Sequence, residues 1–449
     1  MLLASAAWTL FAFAGVYRWT TIPLGVGAVA IVFATRPRPI LDRAIPIVDA
    51  ALLAVIAAIA VQLIPLPANL RLALAPSAIA YEQAVYLTPA SGAPPASPGP
   101  ITIDRDATTF ALFLVIVVAL VFWSARATFS RGGVRTTARG VAWLGLIVAP
   151  LACVQHAMAP QLFYGRWRPL TASALPYTPF VNRNDFAAWL ILAMPLVAGY
   201  AVARLRSRRR PDGAFDPEAA LDDTAIVLGV SIFAMTAGLL ASLSRSGLAG
   251  GAVALLTFAL LARRRMSVRR LGWTAVGVAA TIALAAMYAN MSTLTARMAG
   301  AMSEGVAVRL SIWRQTWPMV RDFWPLGSGV GTYQRVMVLY QTSSRQFYIS
   351  HADNEYLQVL AEGGALLAIP AAIAIGAAVI SIGRRLRADR SALFWVRAGA
   401  ASGIAGLAMQ NMWEMTLRVP ANAVLFAILA AVALAEPASR ETSIGPANR

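Results

Sequence analysis

The chain has 449 residues, 59% hydrophobic and 13% charged, with a mean hydropathy of +0.65 and a formal net charge of +18. Soluble domains carry roughly a quarter charged residues, so the composition places this chain in a bilayer and excludes disorder over most of its length. The basic residues are all arginines, set in short clusters between apolar runs; this is a topogenic pattern and not the footprint of a nucleic-acid-binding face.

Apolar stretches of about 20 residues can cross a bilayer as helices. In chain order they occupy 2–17, 20–35, 45–65, 107–125, 140–158, 185–203, 224–243, 247–262, 272–290, 357–380, 396–413 and 420–436. They predict an all-α polytopic membrane protein with about twelve transmembrane helices and a large outside loop. The first stretch has no positive segment ahead of it, so it reads as a short span and not as a cleaved signal peptide. The segment 66–106 contains Ser91-Gly92-Ala93-Pro94-Pro95-Ala96-Ser97-Pro98-Gly99-Pro100 and is expected to be irregular. Cys153, the single cysteine, lies in the fifth stretch, which excludes an intramolecular disulfide and a cysteine metal site. His156, on the same apolar helix, reads as a packed residue. The stretch 205–223 is a basic-then-acidic linker.

Arginine placement orients the spans. With a cytoplasmic N-terminus, 24 of the 38 arginines fall on the inside, as the positive-inside rule requires. Both termini are then cytoplasmic and 291–356 lies outside. The outside arginines need a further reason: six sit in 291–356, Arg245 sits in a tight turn between two spans, and Arg166, Arg168 and Arg183 lie in 159–184. Guanidinium forks match phosphate geometry, which suits an anionic substrate at the membrane surface. Snorkelling toward lipid headgroups is the alternative at any single position.

Four constellations could carry chemistry. Pro179-Phe180-Val181-Asn182-Arg183-Asn184-Asp185-Phe186 opens the sixth span, with Asn182 or Asn184 as N-cap. Leu243-Ser244-Arg245-Ser246-Gly247 sets an arginine among small residues that let a ligand or helix approach; a phosphate clamp and a topogenic anchor both fit. Val306–Trp317 is amphipathic, with Arg309, Trp313 and Trp317 at i, i+4, i+8 and Arg314 beside them, and also suits an interfacial helix. It is followed by the glycine-rich Gly327-Ser328-Gly329-Val330-Gly331, which lacks the Gly-Lys-Ser/Thr of a nucleotide loop. The fourth is Ser350-His351-Ala352-Asp353-Asn354-Glu355-Tyr356-Leu357. Ser350 and Asp353 have the spacing of a capping box, which puts His351 in a first helical turn, where it stays neutral and can accept a proton. Glu355, one turn on, could orient the ring, with Gln358 and Glu362 continuing that face. The two histidines are far apart, and the outside carboxylates Glu304, Asp322, Asp353, Glu355 and Glu414 lack ligand spacing, so neither a metal nor another cofactor is expected.

Together, Asn182–Ala187, Ser244–Gly247, Arg309–Trp313, Pro325–Thr332 and His351–Leu357 resemble the bacterial O-antigen ligase and O-antigen polymerase superfamily, from about residue 60 to the last span. The resemblance implies a GT-C-type membrane glycosyltransferase, metal-independent and inverting, in the bacterial inner membrane with its site facing the periplasm. The implied donor is a glycan on undecaprenyl diphosphate; in the ligases the acceptor is the lipid A-core. By motif, Arg245 and Arg309 would hold the diphosphate and His351 would deprotonate the acceptor, with Glu355 as its catalytic companion. Arg314, Asn182, Arg183, Asn354 and Tyr356 would be further substrate contacts. One departure is Ala352-Asp353 after the histidine, where related sequences often carry Asn or His; it leaves the hydrogen-bond partner of His351 open.

The expected organisation is transmembrane helices 1–9 over 1–290, a large periplasmic loop with the catalytic residues over 291–356, helices 10–12 over 357–436, and a cytoplasmic tail over 437–449. An O-antigen ligase is the first reading. A repeat-unit polymerase or a protein O-oligosaccharyltransferase is the alternative within the superfamily. A lipid-linked glycan transporter is the alternative outside it, although its ionisable residues would lie midway through spans and not at their ends.

Overall fold

A computed structural model describes residues 1–39, 45–85, 98–169, 174, 176–207, 222–266, 269, 272, 302–343 and 348–435. Hydrocarbon offers the backbone no hydrogen-bond partners, so apolar runs satisfy their own amides as helices. The fold is accordingly all-α; among the described residues there are no strands, and pairing is limited to isolated bridges such as Leu66 with Gly99.

The helices are α1 (Leu2–Phe11), α2 (Arg18–Thr35), α3 (Pro46–Val61), α4 (Ala68–Leu74), α5 (Pro76–Val85), α6 (Arg105–Phe129), α7 (Val134–Met158) and α8 (Arg183–Ser207). They continue as α9 (Asp223–Ala241), α10 (Arg245–Ala262), α11 (Met302–Asp322), α12 (Tyr333–Tyr340), α13 (Glu355–Ala388), α14 (Leu393–Gln410) and α15 (Pro420–Ala433). Among the described residues seven are long and apolar enough to cross a membrane: α2, α6, α7, α8, α9, α10 and α13. The apolar helices α1, α3 and α15 are shorter. The expected span 272–290 lies outside the described residues, apart from residue 272, as do 291–301, the linker 208–221, the run 86–97 and the tail 436–449.

The molecule is organised around α8. Its apolar window is 83% buried inside the protein, against 6% for α13, so α8 is the central post and α13 presents most of its surface outward. Glycines allow the close packing. A Cβ on Gly399 of α14 would lie 2.1 Å from the Pro195 carbonyl of α8, and one on Gly250 of α10 would lie 2.7 Å from the Gly406 carbonyl of α14. Backbones approach this closely only where side chains are absent, which is how helices gain contact in lipid. At one end of the bundle, buried charges are paired: Asp49 accepts from Arg126 (2.7 Å) and Trp123 (3.0 Å), and the wholly buried Arg397 pairs with Asp389.

Three expectations are corrected here. The stretch 2–17 is not one span: α1 stops at Phe11, and Phe13 and Ala14 take positive φ (55° and 54°) in a 3-10 turn. The segment 66–106 is not irregular throughout; α4 and α5 fold there, and Arg71 draws the two together by bonding Glu82 (2.9 Å) and the Pro100 carbonyl (3.0 Å). The stretch 357–380 is longer, since α13 runs from Glu355 to Ala388, with a break at Gly364 (φ 54°, ψ −154°). Outside the main bundle a second, smaller core joins Ala78 of α5, Met319 of α11, Phe323 just beyond it, Val336 and Met337 of α12, and Ala361 of α13. It fixes α11 against the start of α13.

Candidate active site

Helix starts from distant parts of the sequence meet at the end of the bundle opposite the Asp49 and Arg397 pairs. At the entry to α8, Asn182 Oδ1 accepts from the Asn184 amide (3.0 Å), a local turn that asparagine favours. The Asn184 side chain then reaches sideways. Its Nδ2 donates to Glu414 Oε1 at 2.8 Å, and its Oδ1 accepts from Ser244 Oγ at 2.7 Å. Ser244 also caps α10 by accepting from the Gly247 amide (3.1 Å). Ser246 donates to the same Glu414 oxygen at 3.2 Å, and Arg309 of α11 does so through Nη2 at 2.6 Å. Glu414 therefore gathers α8, α10 and α11 from the connection between α14 and α15. Burial pushes its carboxyl up to about 7, with nearby Asp353 adding to the rise; the Arg309 charge and the Asn184 and Ser246 bonds oppose it.

Arg309 faces a second carboxylate, with Nε 3.9 Å from Asp353 Oδ2. Nε itself is buried without a hydrogen-bond partner. Asp353 and His351 line a cavity of about 420 Å³, closed on the other side by Ser311, Ile312 and Gln315 of α11. The backbone between them is pinned. Trp313 Nε1 donates to the Ala352 carbonyl (2.9 Å), the Ala352 amide donates to Gln358 Oε1 (2.9 Å), and the Trp313 ring packs on Trp413 at 5.2 Å. Ala352 is wholly buried, so its backbone, not a side chain, holds the segment.

His351 is not in a helical turn, contrary to the capping-box expectation. Asp353 has φ 47°, which no helix continues, and Asn354 supplies the cap instead, accepting from the Leu357 amide at 3.0 Å. The ring is exposed toward the cavity, and among the described hydrogen bonds none involves it. Protein crowding on its other sides, aided by the Arg418 charge and opposed by Glu362, lowers its pKa to about 4. Neutrality, expected from a helix N-terminus, thus comes from desolvation and a neighbouring guanidinium.

Glu355 is directed to Arg418, its Oε1 3.9 Å from Nε, and Oε2 is buried without a partner. Arg418 binds Glu362 more closely, at 2.5 Å from Nη2 to Oε2. Glu362 also accepts from the Tyr333 amide and from Gln358 Nε2, each at 3.0 Å. This second buried network lies under the His351 segment and reaches it through Gln358.

The glycine-rich loop has a packing role. Ser328 and Gly329 donate their amides to the Ala361 and Glu362 carbonyls (3.2 and 2.9 Å), and the Leu366 amide beyond the α13 break donates to the Pro325 carbonyl (3.2 Å). A Cβ on Gly327 (φ +77°) would lie 2.2 Å from the Glu362 carbonyl. Those amides are spent on α13 and not on an anion.

The fold brings together Asn182, Arg183, Arg245, Arg309, His351, Asn354 and Glu355 at one end of the bundle. Arg183 and Arg245 open α8 and α10 beside Asn184 and Ser246. Two of the sequence candidates stand apart. Arg314 is exposed, five residues and so about 140° around α11 from Arg309. Tyr356 is exposed and donates to the Ala408 carbonyl of α14 (2.9 Å). His156 stacks on Tyr177 at 4.0 Å, as a packed residue does. Among the described residues no group of three His, Cys, Asp or Glu side chains is placed to hold a metal ion. Sequence reasoning gave no role to Glu414 or Arg418. Their signal was two opposite charges four residues apart in a short connection between apolar runs, in a chain only 13% charged.

Residues 230–372 match the Wzy_C family model, described as O-antigen ligase. No curated protein matches the chain.

Proposed function

We propose that this chain, whose residues 230–372 match the O-antigen ligase family model, transfers a glycan from undecaprenyl diphosphate to a hydroxyl of lipid A-core at the periplasmic face of the inner membrane. The observation that carries this reading is the place of Asp353, which lines one cavity with His351 and lies 3.9 Å from Arg309 Nε. Sugar transfer from a diphosphate makes two demands: negative charge must be stabilised on the leaving group, and a proton must leave the nucleophile. Arg309, with a donor group unsatisfied, and Arg245 at the start of α10 answer the first. His351 answers the second: its imidazole takes the hydroxyl proton as the acceptor oxygen bonds to the anomeric carbon and the diphosphate leaves with the bonding electrons. Attack opposite the leaving group inverts the anomeric centre. Asn182, Arg183 and Asn354 act as further contacts around the donor, and Glu355 acts through Arg418.

A base held near pKa 4 is neutral but weak. The two negative charges of the bound donor raise it toward neutrality, so His351 becomes an effective base when the donor is in place. A lipopolysaccharide gel of a deletion strain tests the reading. Unligated core with accumulated lipid-linked polymer is the expected pattern. Core carrying one repeat unit would instead identify a polymerase, and unchanged core glycosylation would reject both.

A further inference from the structure

Glu414 has a property that the transfer reaction does not itself require. It is an acid buried against the guanidinium assigned to the diphosphate, and its carboxylate occupies part of the Arg309 fork at 2.6 Å. All three of its donors, Asn184 Nδ2, Ser246 Oγ and Arg309 Nη2, converge on Oε1, which leaves Oε2 to carry a proton. While Glu414 is ionised, it cancels the charge that an incoming diphosphate needs. Two like-charged groups cannot both hold one arginine in a site shielded from water without a large cost.

We propose that Glu414 is a proton-coupled counter-ion of the donor site, ionised on Arg309 when the site is empty and protonated from solvent at Oε2 when a diphosphate takes the guanidinium. This rests on the donor assignment made above. The charges that change when the donor arrives act in one direction, against the standing bonds from Asn184 and Ser246. Arg309 on α11 is the attractive charge drawn away. Asp353 ahead of α13 is a like charge that remains, Asp185 on α8 is a further acid beside Glu414, and Ser246 and Asn184 still donate to Oε1. Arg245 and Arg418 stand on the adjoining α10 and on the 3-10 turn Thr416–Arg418. Loss of Arg309 and gain of phosphate charge both favour the protonated acid, so one proton enters with the donor. The empty-site carboxyl titrates near 7, so uptake costs affinity only above neutrality.

The test is binding of polyprenyl diphosphate N-acetylglucosamine, a phosphate diester that does not itself titrate near neutrality, to the detergent-solubilised full chain between about pH 6 and 9. Wild-type affinity should fall by about tenfold per pH unit above pH 7. Glu414→Gln, which keeps an acceptor but no charge, should bind with little pH dependence above pH 7 and about tenfold or more tighter than wild type at pH 8 and above. Ser246→Ala removes one donor to the carboxylate and should move the break to higher pH, which keeps the test open if Glu414→Gln does not fold. A wild-type slope retained in Glu414→Gln, weaker binding by that variant at every pH, or a break unmoved in Ser246→Ala overturns the proposal. Absence of wild-type binding at any pH is a different result, and rejects the donor assignment itself.

Discussion

His351 and the arginines around it can be probed one at a time. His351→Ala should lower kcat by about 10²–10⁴-fold while the protein still accumulates in the membrane, since under the proposed mechanism it removes the general base alone. Retained turnover with purified donor and acceptor would remove His351 from the chemistry. The pH profile gives an independent reading. In the unliganded enzyme the ring is neutral above pH about 4, so kcat/KM should lose its acid side only near that value. The limb seen in kcat should lie higher, because the donor's charge raises the same pKa. Coincident acid limbs in the two parameters would count against that coupling. Arg245→Lys should weaken donor use by about 10- to 100-fold, as one charged hydrogen bond of a fork is lost. If lysine serves equally well, Arg245 is a topological anchor.

The elements show which parts of the site were legible beforehand. The start of α8 was readable from Asn182-Arg183-Asn184-Asp185, and the amphipathic face of α11 from its arginine and tryptophan spacing, because both signals are local. The start of α13 was misread. Ser350 and Asp353 have capping-box spacing, but the positive φ of Asp353 hands the cap to Asn354, and no sequence pattern announces that φ. Glu414 was invisible as a hub because Asn184, Ser246 and Arg309 lie 230, 168 and 105 residues away in the chain. The segment Gly327–Gly331 was readable as a glycine-rich loop but not as the partner of a broken helix. Gly327→Ala tests that partnership: it meets a positive φ and a carbonyl at 2.2 Å, and should cost about 3 kcal/mol or more and lower the Tm in detergent. Gly383→Ala, at a helical position with nothing within 4 Å, should leave the Tm unchanged or raise it slightly. Equal effects at the two positions would mean that the loop is not held by α13.

For the whole molecule, the described fold separates two ends. Asn184, Arg245, Arg309, His351 and Glu414 meet at one; Arg126, Arg397 and their carboxylates lie at the other. Composition made the bilayer evident, and arginine counting supplied an orientation that cysteine labelling can check. In a Cys153→Ser background, Arg314→Cys should react with a membrane-impermeant maleimide added to intact spheroplasts, and Arg390→Cys only after lysis; both positions are exposed. The opposite pattern would invert the topology and place the site in the cytoplasm. The connection between α14 and α15 carries a consequence for how this protein can vary. It sends Glu414 into one buried network and Arg418, four residues later, into another. Connections between helices ordinarily tolerate insertions, but this one is a spacer with both ends anchored. Met415 and Leu417 can change in kind while the count between the charges is held, so one residue added there should inactivate the protein more surely than either substitution.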